Sequence, residues 1–167
     1  IKTNYKLSDY KAVVEKIKLI TLENLSAGTK DEILLVQGNS LVEMQELEPA
    51  KKLLNLLLTT KDHNKVYEAQ LLAANIEISL NNYDAAFTIL KSLLNDSQTL
   101  PEIKAEAHNL LAMIYYYKGD VENSLIESQK SIKIFNELGM KLKVSSQLIN
   151  MGTLCFGMDN PKLAFDY

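Results

Sequence analysis

From His108 to Ser124 the chain reads HNLLAMIYYYKGDVENS, and this stretch decides the fold. Apolar side chains at Leu111, Ile114 and Tyr115 recur at the three- and four-residue spacing of an amphipathic helix. Gly119-Asp120 then interrupts the pattern with a residue that accepts left-handed backbone and one that caps a new helix. Ala112 and Ser124 stand 12 positions apart across that turn. Two antiparallel helices cross closely where neither places a bulky side chain at the contact, so this couple predicts a tight helical hairpin.

Working outward, the same couple recurs. Gly38 and Ala50, Ala74 and Ala86, and Gly152 and Ala164 are also 12 apart, and both members advance together by 36, 38 and 40 residues. The intervening turns are Gln45-Glu46, Asn81-Asn82 and Asp159-Asn160-Pro161. Pro49, Pro101 and Pro161 fall near helix starts, where proline is tolerated, and Gly139 suits a left-handed helix stop. Nothing in the pattern has the period of a strand. The expectation is an internal repeat of helix pairs, all-α throughout.

These residues resemble the tetratricopeptide repeat, whose unit of about 34 residues pairs a helix A with a helix B. In the third unit His108, Leu111, Ala112, Tyr115, Gly119, Asp120 and Ser124 stand where the family has Trp, Leu, Gly, Tyr, Gly, Asp and Ala. Ala74, Tyr83 and Ala86 match in the second, and Asn4–Tyr10 looks like the end of a helix A and the start of a helix B. The late helix B position that the family fills with Ala is Leu57, Leu93 and Ser131 here. Units of this length are similar to those of peptide-sensing regulators, kinesin light chains and bacterial signalling proteins. The resemblance implies a right-handed α-solenoid of antiparallel helix pairs. Its divisions would be a partial repeat at 1–28, repeats at 29–64, 65–100 and 101–140, and a truncated repeat at 141–167. A register that begins and ends inside a unit suggests a section of a longer array.

Composition narrows the function. Twenty-one acidic against 18 basic residues give a net charge of −3, and every basic residue is Lys. Lacking both a basic field and the bidentate Arg fork, the chain is expected to bind neither nucleic acid nor a membrane surface directly. The apolar run from Leu53 to Leu58 is far short of the roughly 20 residues that span a bilayer. One cysteine, Cys155, with His63 and His108, makes no metal-ligand cluster, and neither metal nor cofactor is expected. A cytoplasmic location fits this cysteine usage, with a periplasmic sensor domain as the alternative.

Catalysis finds no constellation. His108 and Cys155 fall at helix A positions that the repeat buries, Asp62-His63 lies in the polar link Thr59–Asn64, and no glycine-rich phosphate loop is present. A non-enzymatic role is expected. The resemblance places helix A on a concave side that holds a peptide, and carries Asn39, Asn75, Asn109, Met113, Tyr116, Tyr117, Asn150 and Phe156 onto that side. Leu35, Val42, Leu72, Ile78, Ser146, Ile149 and Thr153 are carried there too. A row of Asn amides suits the main chain of an extended peptide, although 14 Asn in the chain would also place several on a solvated face by chance. Met and Tyr are candidate apolar anchors or, equally, interhelix packing. Glu32, Glu68 and Glu106 recur near the start of helix A, where they either stabilise the helix end or make one rim acidic. The expected partner is a neutral, apolar or basic segment and not an acidic tail, with self-association as the competing structural role.

Overall fold

A computed structural model describes residues 9–22 and 25–157, with side chains described as far as 152. Among the described residues the chain is all-helical, with no strand. In order, α1 is Tyr10–Lys18, α2 Ala27–Glu43, α3 Leu47–Leu57, α4 His63–Ser79, α5 Tyr83–Asn95, α6 Pro101–Tyr117, α7 Val121–Glu137 and α8 Lys141–Gly157. The chain divides into two compact units, Ile1–Ile89 and Leu90–Tyr167, with the division inside α5.

The helix boundaries follow from local chemistry. Asp9, Ser26, Asp62 and Asp120 each turn a side-chain oxygen onto a backbone N–H of the first turn they precede, at Ala12, Thr29, Asn64 and Asn123. Pro101 opens α6 at the position where a missing N–H costs nothing. The ends of α2, α4 and α6 share one closing geometry. Gln45, Asn81 and Gly119 take φ of 60°, 62° and 77°, and each N–H bonds a carbonyl three residues back, at 2.9 Å. The next N–H, from Glu46, Asn82 and Asp120, reaches back five residues to Leu41, Glu77 and Tyr115 at 2.8, 2.8 and 2.9 Å. This paired closure satisfies carbonyls that the helix end would otherwise orphan. Gly139, at φ 70°, ends α7 in the same way.

In the first unit α2 packs against α1, α3 and α4, and α3 against α4. Its core joins Val14, Leu34, Leu35, Leu41, Val42, Ala50, Leu57, Ala69, Leu72 and Ile76. Gly38 lets α4 come close to α2: a methyl group there would lie 2.6 Å from a Leu72 methyl. The small residue thus serves the contact of α2 with α4, a helix beyond the hairpin for which the spacing marked it. Thr60 Oγ1 donates to Asp31 Oδ2 at 2.6 Å, tying the link before α4 back to α2.

In the second unit α7 packs against both α6 and α8. The Ala112–Ser124 couple is a physical crossing, because Ser124 Oγ donates across the hairpin to the Ala112 carbonyl at 2.9 Å. Ala50, Ala74, Ala86, Ala112 and Ser124 are all buried. Ala164, the expected partner of Gly152, lies outside the described residues.

Candidate functional site

The buried faces of α6 and α7 cannot all be filled by large side chains, because Ala112, Ser124 and Ser128 line them with little volume. Where these residues meet α8 there is an open pocket of 340 Å³. From α6 it takes Asn109, Ala112, Met113, Tyr116 and Tyr117, which share one helix face by their spacing; α7 gives Ser124 and Ser128; α8 gives Gln147, Asn150 and Met151. The Tyr116 and Tyr117 rings lie 5.7 Å apart at 52° and remain about half exposed. Ten residues line the pocket and none is Asp, Glu, Lys or His. It therefore offers amides, hydroxyls, thioethers and aromatic faces without a formal charge.

Five of the residues singled out from the sequence meet here: Asn109, Met113, Tyr116, Tyr117 and Asn150. The Phe156 side chain lies outside the described ones, as does that of Cys155. Asn39 and Asn75 are in the first unit, half-buried on α2 and α4. Asn39 Nδ2 donates to the Leu35 carbonyl of its own helix at 2.9 Å, so one amide hydrogen is already engaged. Leu35, Val42, Leu72 and Ile78, carried to the groove by the resemblance, are core residues instead, at 5%, 2%, 1% and 5% exposure. Hydrophobic side chains that pack on two neighbouring helices are withdrawn from any free face.

The three glutamates also differ from expectation. Glu32, Glu68 and Glu106 sit in the second turns of α2, α4 and α6, past the first turn in which the helix dipole acts. Glu68 bonds Lys65 at 2.9 and 3.1 Å through its two oxygens, and Glu106 pairs with Lys143 of α8. These lysines offset the negative charge at both positions, so Glu68 and Glu106 do not form a bare acidic rim. A different carboxylate holds α6 and α7 together. Glu127 Oε2 lies 2.5 Å from His108 Nδ1, and its other oxygen accepts from Lys130 Nζ at 2.8 Å. Burial acts to raise the Glu127 pKa, but the hydrogen bonds from Lys130 and His108 outweigh it and hold the carboxyl below its usual range.

The sequence reading missed Gln147 and Met151. It took Ser146, Ile149, Asn150, Thr153 and Phe156 as the α8 groove positions; Ile149 is 69% exposed, whereas Gln147 and Met151 are 5% and 1% exposed and line the pocket. The available signal was the column Ile33, Ala69, Ala107 and Gln147, in which an amide follows apolar residues at the same repeat position.

A second cavity, 380 Å³, lies in the first unit between the start of α2 and the link before α4. Lys30, Asp31, Thr60, Lys61 and Asp62 line it with Leu34 and Leu56, and no sequence candidate falls there. Among the described residues no group of three or more His, Cys, Asp or Glu could hold a metal ion, and no helix is long and apolar enough to cross a membrane.

No family model and no curated protein matches the sequence. The crystal structure of BtubC (BKLC) from P. vanneervenii is similar to this chain, with a TM-score of 0.61, over 95% of this chain and 68% of that one. The two are 18% identical, so the likeness is one of fold.

Proposed function

We propose that the chain is a non-catalytic, tetratricopeptide-like helical array that holds a neutral peptide segment, and that it works as a sensing or scaffolding section of a larger bacterial signalling or regulatory protein. The observation that carries this reading is the uncharged pocket of α6, α7 and α8, which gathers five side chains picked from the sequence for peptide contact. Asn109 and Asn150 supply donor and acceptor together, as main-chain recognition needs, and Met113 with Tyr116 and Tyr117 supplies adaptable apolar area. An acidic tail finds no cation in the lining.

The test is selection from a random twelve-residue peptide library, followed by fluorescence anisotropy on synthetic copies of the enriched peptides. Neutral sequences with apolar residues should emerge, and Asn109→Ala with Asn150→Ala should weaken them at least about tenfold, the loss of roughly one to two hydrogen bonds, without lowering the melting point. No enrichment, or undiminished affinity in the double variant, would refute the reading. Asn39→Ala with Asn75→Ala should weaken binding less, since Asn39 already donates to Leu35.

Self-association is the second reading, and the exposure of α8 favours it. Leu142 and Ile149, seven residues apart on one helix face, are 75% and 69% exposed. Light scattering across a concentration series separates the two readings: an oligomer that Leu142→Ser dissolves supports assembly, and a monomer at all concentrations excludes it.

A further inference from the structure

Gln147 occupies a position that the repeat otherwise closes with small or apolar residues. Its counterparts Ala69 and Ala107 are 0% exposed, and Gln147 itself is 5% exposed. Burying an amide without a partner costs about 1–3 kcal/mol, so a glutamine here has to find hydrogen bonds. It finds none with protein among the described residues; its side chain lines the 340 Å³ pocket instead, beside Met151 and Asn150 and across from Asn109 and Met113. With no protein partner, solvent entering the pocket is what is left to satisfy the amide.

Any ligand that fills the space displaces that solvent and must supply the hydrogen bonds itself. A purely apolar group would strand the amide. A carboxylate or ammonium would lose hydration with no countercharge in the lining to compensate. A peptide unit satisfies both demands, since its N–H and C=O match the acceptor and donor of a glutamine amide. The volume corresponds to about eleven waters, room for one medium side chain with its adjoining peptide units.

We propose that Gln147 is the specificity-determining residue of this pocket: it hydrogen-bonds the main-chain amide beside an apolar side chain that enters between Met113 and Met151, and so selects a neutral peptide over apolar or charged competitors. This rests on the peptide-binding reading above and names the residue that sets its selectivity.

The probe is N-acetyl-leucine methylamide, titrated into the ¹⁵N-labelled full chain by NMR, against 3-methylbutanol, which has the same apolar end without a peptide unit, and N-acetyl-leucine, which ends in a carboxylate. In the wild type the methylamide should shift the side-chain amide signals of Gln147, Asn109 and Asn150 and bind about tenfold tighter than either competitor, the worth of one well-made hydrogen bond. Gln147→Met keeps the volume, removes a buried polar group and should fold with an unchanged melting point. In that variant the preference over 3-methylbutanol should fall to about onefold while the alcohol still binds. Pocket shifts with undiminished selectivity in Gln147→Met would overturn the role of Gln147 and leave peptide binding standing. No shift at any pocket residue into the tens of millimolar would overturn the pocket itself as the peptide site.

Discussion

The two units close their helix pairs by different means. In the first, α2, α3 and α4 bury an almost wholly aliphatic cluster in which Leu57, Leu72 and Ile76 are at most 1% exposed. In the second, the buried face of α7 is Ser124, Glu127, Ser128, Ser131 and Phe135, four polar residues to one aromatic. Burial of Leu needs only matching shape; burial of Ser and Glu costs free energy unless they are bonded, and Ser124 is bonded to Ala112 and Glu127 to His108 and Lys130, while the Ser131 hydroxyl is not. Small polar side chains also leave room. The pocket lies where α7 presents Ser124 and Ser128, a vacancy that leucines at those positions would fill. The turns differ in the opposite direction: the first unit ends α2 and α4 on Gln45 and Asn81 in left-handed backbone, the second ends α6 and α7 on glycine.

The largest expected effect tests the aliphatic side. Leu57→Ala removes a fully buried side chain and should cost about 2–5 kcal/mol in urea unfolding; a loss below 1 kcal/mol would mean that the first unit is not held by its apolar cluster. Next comes the carboxylate clamp. Glu127→Ala should cost about 1.5–3 kcal/mol at neutral pH, the range for hydrogen bonds to a charged group. Because the folded state holds the Glu127 pKa below its unfolded value, its contribution is present above the ordinary carboxylate range and is lost as pH falls through the folded value. Acid titration should therefore destabilise the wild type more steeply than Glu127→Gln, and parallel curves would remove the clamp from the account.

Two serines on one helix face sharpen the contrast further. Ser124→Ala gives up the bond to Ala112 and should cost about 0.5–1.5 kcal/mol. The Ser131 hydroxyl is buried with no hydrogen-bond partner, so Ser131→Ala should be neutral or raise the melting temperature. Equal signs for the pair would show that α7 is insensitive to which of its hydroxyls are satisfied. The smallest effect concerns the turns: Gln45→Gly relieves a left-handed side-chain residue and should gain about 0.5–1 kcal/mol, whereas Gly119→Ala should lose a similar amount.

Much of this was legible in the sequence because it is local. The turns at Gln45-Glu46, Asn81-Asn82 and Gly119-Asp120, the helix starts at Tyr10 and Pro101, and the stop at Gly139 each depend on residues within five positions, and the structure has them where the spacing put them, while Asp159-Asn160-Pro161 lies outside the described residues. The Ala112–Ser124 couple was legible because a helical hairpin fixes which residues cross. What did not show was orientation toward a third helix. Gly38 reads as half of a hairpin crossing, yet a side chain there would meet Leu72 on α4. On α8 the spacing led to Asn150, which lines the pocket, but took Ile149 for the groove and passed over Gln147 two positions earlier. The meeting of Glu127 with His108, 19 positions apart, depends on side-chain reach that no spacing rule encodes.

Asp120 links two helices within one residue. Its N–H closes the end of α6 on Tyr115, and its carboxylate caps Asn123 at the start of α7. The backbone closure it shares with Gln45-Glu46 and Asn81-Asn82 leaves no slack, so the couples keep their 12-residue interval while the spacing from one to the next goes from 36 to 38 to 40. The added length appears at the far end, where the second helices grow from 11 to 13 to 17 residues. The joint acts as a fixed gauge and the distal helix as the adjustable part. A residue inserted after Gly119 should therefore unseat a whole hairpin, while one inserted near Ser97 should be absorbed.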